Sequence, residues 1–183
     1  ADVRAFLAKY AGTYLAQALR ADWAKQLGKR EQWTRFERAL APLPARDLEL
    51  RCYDWAARLA RGEAAVAAET KSFWLEPGEL PAGCGMLADK LAARGAIHAS
   101  EVWQRARMLF EHGQITAAKS ALGYLPRGQA PDELLLAQAA TQPQQVLSYL
   151  PRHFGRRATR EVVVLAAVRL AAADPRLAAK ALE

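Results

Sequence analysis

The sequence predicts an all-α fold, and three observations support that prediction. Strong helix formers, above all Ala, Leu, Arg, Glu and Gln, dominate the 183 residues. Val, Ile and Thr are sparse and never alternate in the two-residue pattern of a strand. Gly and Pro recur between apolar stretches whose spacing is helical, and the one β-branched run, Val162 to Val164, lies inside such a stretch.

The first half of the chain reads as a series of short helices with clear stops. A stripe of Tyr14, Leu15, Leu19, Trp23 and Leu27 predicts a helix whose C-cap is Gly28. Prolines 42 and 44 end the next helix, Gly62 ends the one after it, and a Pro-Gly turn at 77–78 follows. The predicted helices cover residues 6–10, 14–27, 33–40, 48–59 and 66–75.

The second half continues in the same manner. Its stops are Gly95, Gly113 and Pro126, and Ser100 with Glu101 is a typical helix start. Connections of only a few residues predict that consecutive helices pack antiparallel. The predicted helices cover residues 86–95, 100–113, 115–125, 134–140, 146–150, 162–172 and 177–182.

A repeated phrase suggests how these helices are organised. The segment WAKQLG, which ends at Gly28, is echoed by WAARLARG ending at Gly62 and by LADKLAARG ending at Gly95, at intervals of 34 and 33 residues. Such periods are typical of helical-hairpin solenoids of the tetratricopeptide kind, in which neighbouring hairpins bury each other's apolar faces. The tetratricopeptide consensus itself is matched poorly. We therefore predict an α-solenoid, or superhelix, of degenerate tetratricopeptide-like hairpins.

The charge narrows the class of partner without selecting one. A net charge of +7 suits nucleic acid, anionic lipid or an anionic cell-wall polymer. Most basic residues are scattered as on a solvated helix face, but Arg152, His153, Arg156 and Arg157 form a small cluster. No transmembrane segment is predicted, because the most apolar stretch, 162–173, is short and contains Arg169.

Motifs for catalysis, metal binding and cofactor binding are missing from the sequence. His98, His112 and His153 lie in different segments without paired spacing, and the first two are explained as helix-capping residues. No HExxH, CxxC, GxGxxG or GxxxxGK[ST] motif occurs. We therefore predict no catalytic, cofactor-binding or metal-binding residue in this chain, and no cofactor.

The tryptophans admit two interpretations. Aromatic faces bind sugar rings, but Trp23, Trp33, Trp55, Trp74 and Trp103 each fall on the apolar stripe of a separate predicted helix. The spacing favours core packing for all five. On that interpretation Trp55→Ala is expected to reduce stability by roughly 3–5 kcal/mol.

The two cysteines also leave alternatives open. Cys52 lies near the middle of one predicted helix and Cys84 at the start of another, and two helices separated by a single intervening helix are near neighbours in a solenoid, so the two Cα atoms can approach disulfide distance. They are either a disulfide or two separate buried thiols. A disulfide would stabilise the fold by about 3–4 kcal/mol and would indicate an oxidising compartment.

Four phrases, in order, resemble the N-terminal superhelical region of the soluble lytic murein transglycosylase family. Residues 19–33 read LRADWAKQLGKREQW, and residues 48–59 follow as LELRCYDWAARL. The third phrase combines FWL at 73–75 with LPAGC at 80–84, and the fourth is SEVWQRAR at 100–107. The likeness is good over about residues 13–126, and the order and spacing of the phrases make it fairly specific.

The resemblance implies a location, a disulfide and a division of labour. Enzymes of this family are periplasmic and cleave peptidoglycan glycan strands, using a Glu in a lysozyme-like domain as general acid and then base. The family's Glu-Ser and Gly-Leu-Met-Gln motifs are absent here, so no catalytic residue is carried over. The resemblance implies a Cys52–Cys84 disulfide. It also implies that residues 1–183 are a fragment of one superhelical domain, whose partners are peptidoglycan and the catalytic domain of the parent chain.

Three other functions remain open at this point. They are a free-standing helical-repeat module for protein interaction, a self-contained enzyme, and a basic repeat that binds nucleic acid. Nucleic-acid binding would be steeply salt-dependent and would go with reduced cysteines; we do not expect it. Helical pattern at both ends of the sequence suggests a piece of a longer protein.

Overall fold

The computed structural model describes residues 3–149 and 154–182, and within them every regular element is an α-helix. The predicted all-α fold class is confirmed. The helices are α1 (Val3–Lys9), α2 (Tyr14–Lys29), α3 (Trp33–Leu40), α4 (Leu48–Ala60), α5 (Val66–Glu69), α6 (Lys71–Trp74), α7 (Ala82–Ala93), α8 (Ala99–Glu111), α9 (Ile115–Leu122), α10 (Glu133–Thr141), α11 (Pro143–Ser148), α12 (Arg157–Ala173) and α13 (Pro175–Ala181).

The helices are grouped in two compact units. The first comprises residues 3–74 and 80–96, and the second comprises residues 75–79 and the described residues from 97 to 182. In the first unit α2 packs against α3, α4 and α7, and α4 packs against α7. In the second unit α8 packs against α9 and α12, and α10, α11 and α13 pack against α12. The prediction that residues 1–183 belong to one superhelical domain stays a prediction.

The centre of the first unit is the ring of Tyr53, which lies on α4 between α2 and α7. The side chain is 1% exposed, and its immediate neighbours on the two flanking helices are glycines. A Cβ atom at Gly28 would lie 2.5 Å from Tyr53 Cγ, and one at Gly83 would lie 2.9 Å from both the ring and the Glu49 carbonyl oxygen. Only glycine lets both helices approach the ring this closely.

Gly28 is therefore not the C-cap that the sequence predicted. It lies inside α2, which ends one residue later, and Arg30 is the C-cap. Gly28 is needed for its missing side chain, whereas Gly62 and Gly95, with φ of +84° and +68°, follow helix ends in the left-handed conformation as predicted.

The predicted apolar stripe of α2 is also wrong in part. Tyr14 and Leu15 are 82% and 69% exposed, and the buried face of the helix consists of Ala16, Ala24, Leu27 and Gly28. At Gly28 the reason is Tyr53, whose ring fills the space that a side chain would need. Hydrophobic spacing alone selected the large side chains and missed this packing.

A disulfide joins α4 to α7 beside the tyrosine. Cys52 and Cys84 are both fully buried, their Cα atoms lie 4.9 Å apart, and the two sulfur atoms are bonded. The two cysteines are 32 residues apart in sequence. For a loop of that size the chain-entropy model gives about 3–4 kcal/mol of stabilisation. Disulfide and ring together fix the spacing of α4 and α7.

A buried arginine organises the second unit. Arg105 on α8 is 2% exposed, and its guanidinium donates to the carbonyl oxygens of Glu76 at 2.9 Å and Gly78 at 2.7 Å. Burial lowers the pKa of this guanidinium. These hydrogen bonds tie the 75–79 segment to the second unit. The sequence analysis did not identify Arg105.

The tryptophans divide into three groups. Trp74 and Trp103 are buried, Trp33 and Trp55 are half-buried, and Trp23 is 36% exposed. The prediction that all five are core residues is wrong for Trp23 and holds only in part for Trp33 and Trp55. A truncation cost of roughly 3–5 kcal/mol fits the 1%-exposed Trp103 better than Trp55, because the penalty grows with the buried area that is lost.

An ion pair and a helix cap meet where α4 begins. The Asp47 carboxylate accepts from the Leu50 N–H at 2.9 Å, and Lys25 Nζ lies 2.6 Å from Asp47 Oδ2 and 3.2 Å from Glu49 Oε2. Burial raises the pKa of Asp47, but the hydrogen bonds from Lys25 and Leu50 outweigh it and leave the pKa below 3.8. Burial lowers the pKa of Lys25, but its hydrogen bonds to the Asp47 and Glu49 carboxylates outweigh this effect and raise the pKa.

Two glycines of one helix should respond oppositely to alanine. Gly83→Ala is expected to reduce stability by about 1–3 kcal/mol, because the new methyl group meets Tyr53 and a backbone carbonyl. Gly85→Ala, with no atom within 4 Å of the new Cβ, is expected to gain about 0.5–1 kcal/mol. Urea unfolding of the two variants tests this. Equal effects would show that Tyr53 does not set the helix spacing.

The disulfide should be present in protein made in an oxidising compartment. Alkylation before and after reduction, read by mass spectrometry, should label neither cysteine and then both. Cys52→Ala with Cys84→Ala should lower the free energy of unfolding by roughly 3–4 kcal/mol. Two free thiols in such material would contradict the oxidised pair.

The free energy of unfolding should fall in acid partly through Asp47. The pKa of Asp47 is lower in the folded state than in the unfolded state. Its contribution to stability is therefore complete above about pH 3.8 and is lost as the pH falls through the folded-state pKa. Asp47→Asn keeps a capping oxygen and should make the decrease between pH 7 and pH 3 smaller than in the wild type. Lys25→Gln should have the same effect to a lesser degree, because the hydrogen bond from the Leu50 N–H would still lower the pKa of Asp47. Urea unfolding at both pH values provides the measurement, and parallel wild-type and Asp47→Asn profiles would refute this role.

Candidate functional site

A groove of about 1050 Å³ opens on the second unit. It lies between the segment that leads into α10, α10 itself and the start of α12. Its lining consists of Trp103, Gly128, Gln129, Ala130, Asp132, Leu134, Leu135, Gln138, Arg156, Arg157, Ala158 and Thr159.

Local capping geometry places the polar side chains of the groove. Asp132 is the N-cap of α10, and its Oδ1 accepts from the Leu135 N–H at 2.8 Å. Gly128, with φ of +81°, turns the chain before Gln129. Arg156 is the N-cap of α12 in an extended conformation, and Arg157 is the first residue of that helix. The two arginines therefore stand together on the wall opposite α10.

The groove has a positive wall because the nearest acid is already engaged. Glu161 lies one turn along α12, and its Oε2 accepts from Arg107 Nη1 at 2.6 Å. Arg157 Nε is 4.0 Å from the other carboxylate oxygen of Glu161, and the Arg157 side chain is 58% exposed. Within the described part of the chain, no hydrogen bond or ion pair engages the Arg156 side chain. Two arginines thus face one lining acid, Asp132.

The remaining lining is mixed in character. Gln129, Gln138 and Thr159 supply hydrogen-bonding groups, and Ala130, Leu135 and Ala158 supply small apolar surfaces. Trp103 lies at the base of the groove but is only 1% exposed. Its ring is a core element and offers no open face for stacking.

A second, more apolar groove of about 620 Å³ adjoins the first. Ala130 and Leu134 line both, and Leu134 is 69% exposed between them. Residues of α10 therefore line both grooves, and the two arginines of the first groove come from the start of α12.

The structure shows where the predicted basic cluster lies. Arg156 and Arg157 line the groove, whereas Arg152 and His153 lie outside the described residues. The sequence analysis did not identify the 128–132 segment or Gln138, which come close to the arginines only through tertiary packing. The single available signal was the Gly and Pro content of RGQAPD, which marks a turn before a helix.

His98 and His112 behave as capping residues, as predicted. His98 is the N-cap of α8, and its backbone N–H donates to the Glu101 carboxylate at 2.9 Å. His112 is the C-cap of the same helix, with Nδ1 2.8 Å from the Met108 carbonyl oxygen. Among the described residues, no group of three or more His, Cys, Asp or Glu is arranged to hold a metal ion. The prediction that the chain has no catalytic residue stays a prediction.

None of the helices in the described ranges 3–149 and 154–182 has the length and apolar character that a membrane crossing requires.

The solved structures that match this fold include two lytic transglycosylases. One is an inactive mutant of the lytic transglycosylase Slt from Pseudomonas aeruginosa, with a TM-score of 0.64, 25% identity and coverage of 98% of this chain. The other is the 70-kDa soluble lytic transglycosylase in complex with bulgecin A, with a TM-score of 0.67, 21% identity and coverage of 97%. No family model and no curated protein matches the chain in sequence.

The matched region is a minor part of each of these proteins. The chain spans 29% of the length of either one. The similarity nevertheless extends over almost all of this chain. It confirms the predicted fold class, an array of helical hairpins of the α-solenoid kind.

Proposed function

We propose that this chain is a non-catalytic helical region of a periplasmic peptidoglycan lytic transglycosylase. The proposal starts from the confirmed resemblance of the chain to the soluble lytic transglycosylases. The observation that carries this proposal is the agreement between the sequence phrases and the fold. Four sequence phrases in order resemble the family, and the folded chain matches two lytic transglycosylases over 98% and 97% of its length.

The proposed role is positional. The chain corresponds to 29% of each matched protein, so the catalytic domain would lie in the rest of the parent chain. The motifs that surround the family's catalytic Glu are absent here. A scaffold needs stiffness, which the Tyr53 packing and the disulfide provide in the first unit and Arg105 provides in the second.

The disulfide supports a periplasmic location on chemical grounds. Buried cross-links of this kind form and persist in oxidising compartments and are rare where thiols are kept reduced. This argument does not depend on the structural matches. It also disfavours a nucleic-acid-binding repeat, for which reduced cysteines are expected.

The charge supports peptidoglycan as the partner of the parent protein. Peptidoglycan strands carry peptides with carboxylate groups, and a chain with a net charge of +7 attracts such a polymer at low salt. A free-standing helical-repeat interaction module is the alternative, and the exposed apolar surface around Leu134 is the observation that favours it. The parent gene separates the two proposals: a lysozyme-like domain encoded in the same reading frame supports the scaffold.

The chain alone should have no muralytic activity. Purified sacculi incubated with the 183-residue protein should release no anhydro-muropeptides, because the general acid that this chemistry needs would lie in another domain. Chromatography with mass spectrometry detects the products, and a complete lytic transglycosylase serves as the positive control. Release that survives removal of contaminating enzymes would reveal a catalytic site within the chain.

A further inference from the structure

We propose that the groove between α10 and the start of α12 binds the peptide of peptidoglycan through its carboxylate groups. The identity of the ligand rests on the proposed function above. The location of the site rests only on the groove itself, whose lining matches a short acidic peptide in charge, size and polarity.

The charge of the groove is the first step. Arg156 and Arg157 line one wall, and Glu161, the acid nearest to Arg157, is held by Arg107 at 2.6 Å. Arginine presents a planar set of N–H donors that matches a carboxylate, and such pairs are stronger than neutral hydrogen bonds. The two guanidinium groups are therefore the natural contacts for an acidic ligand.

The remaining residues of the lining suit the rest of a peptide. Gln129 and Gln138 can donate to and accept from a peptide backbone, while Ala130 and Ala158 accommodate small alanyl side chains. Asp132 is the one acid of the lining, and its carboxylate suits the amino group of a diamino acid, which peptidoglycan peptides carry. A volume of about 1050 Å³ holds a few residues in extended form.

Stacking of the glycan is the competing mode, and the groove does not favour it. Among the described residues of the lining, Trp103 is the single aromatic one, and it is 1% exposed, so its ring offers no open face to a sugar. The exposed Trp23 lies in the other unit. Recognition in this groove should therefore depend on the peptide and its charges.

The experiment compares charge-matched double variants of the full chain. Arg156→Gln with Arg157→Gln removes the positive wall, and Arg30→Gln with Arg38→Gln removes the same charge from exposed positions in the first unit. Circular-dichroism melts check that both variants keep the wild-type fold. Isothermal titration calorimetry then measures binding of a purified disaccharide-tetrapeptide at low salt.

We expect the groove variant to bind the disaccharide-tetrapeptide at least about tenfold more weakly than the wild type, as for the loss of one to two charge-assisted hydrogen bonds. The Arg30/Arg38 variant should bind within about twofold of the wild type, because exposed charges that do not line the groove contribute only screened attraction. The disaccharide without its peptide, and the tetrapeptide with amidated carboxylates, should not bind detectably.

Three outcomes would overturn the proposal. Equal weakening in both double variants would show unspecific charge attraction, and binding of the peptide-free disaccharide in this groove would show glycan recognition. An unrelated acidic peptide that binds as tightly through the same arginines would identify a protein-interaction groove. Each of these results leaves the proposed function intact, because that proposal fails instead when the parent reading frame encodes no lysozyme-like domain.

Discussion

The close approach of three helices around one tyrosine ring is the constraint on which the first unit depends. Tyr53 of α4 occupies the space that side chains on α2 and α7 would otherwise fill, and a glycine on each of those helices admits it. The neighbouring disulfide joins α4 to α7 from the adjacent position on each helix. On α4 Tyr53 directly follows Cys52, and on α7 Gly83 directly precedes Cys84. One short segment of each of these two helices therefore sets the distance between them.

The fold class could be predicted from the sequence because it depends on local signals. Gly62 and Gly95 end helices through a backbone conformation that favours glycine, and their spacing indicated a hairpin repeat. Gly28 looked the same in sequence but serves a tertiary contact. The exposed Tyr14 and Leu15 illustrate the same limit, because which face of α2 is buried depends on its packing against α3, α4 and α7.

The candidate site was predictable only in its charges. Arg156 and Arg157 are adjacent and belong to the visible basic cluster, so the sequence identified one wall. The other wall comes from residues 128–138, which reach the arginines because α10 packs on α12. Arg105 was missed for a related reason. A buried arginine bound to backbone carbonyls has no motif, since its partners in 75–79 are recognised by position and not by residue type.

The side chains that stabilise each unit are largely different from those that line the candidate groove. The residues that hold each unit together, among them Tyr53, the cystine and Arg105, are almost completely buried and do not line the groove. Arg157 is exposed, and its nearest acid is held by Arg107. Most exposed substitutions change stability by less than about 0.5 kcal/mol. The charge of the groove can therefore vary without loss of the fold, which is the property a scaffold needs if its surface is to adapt to a charged polymer while its helices keep their positions.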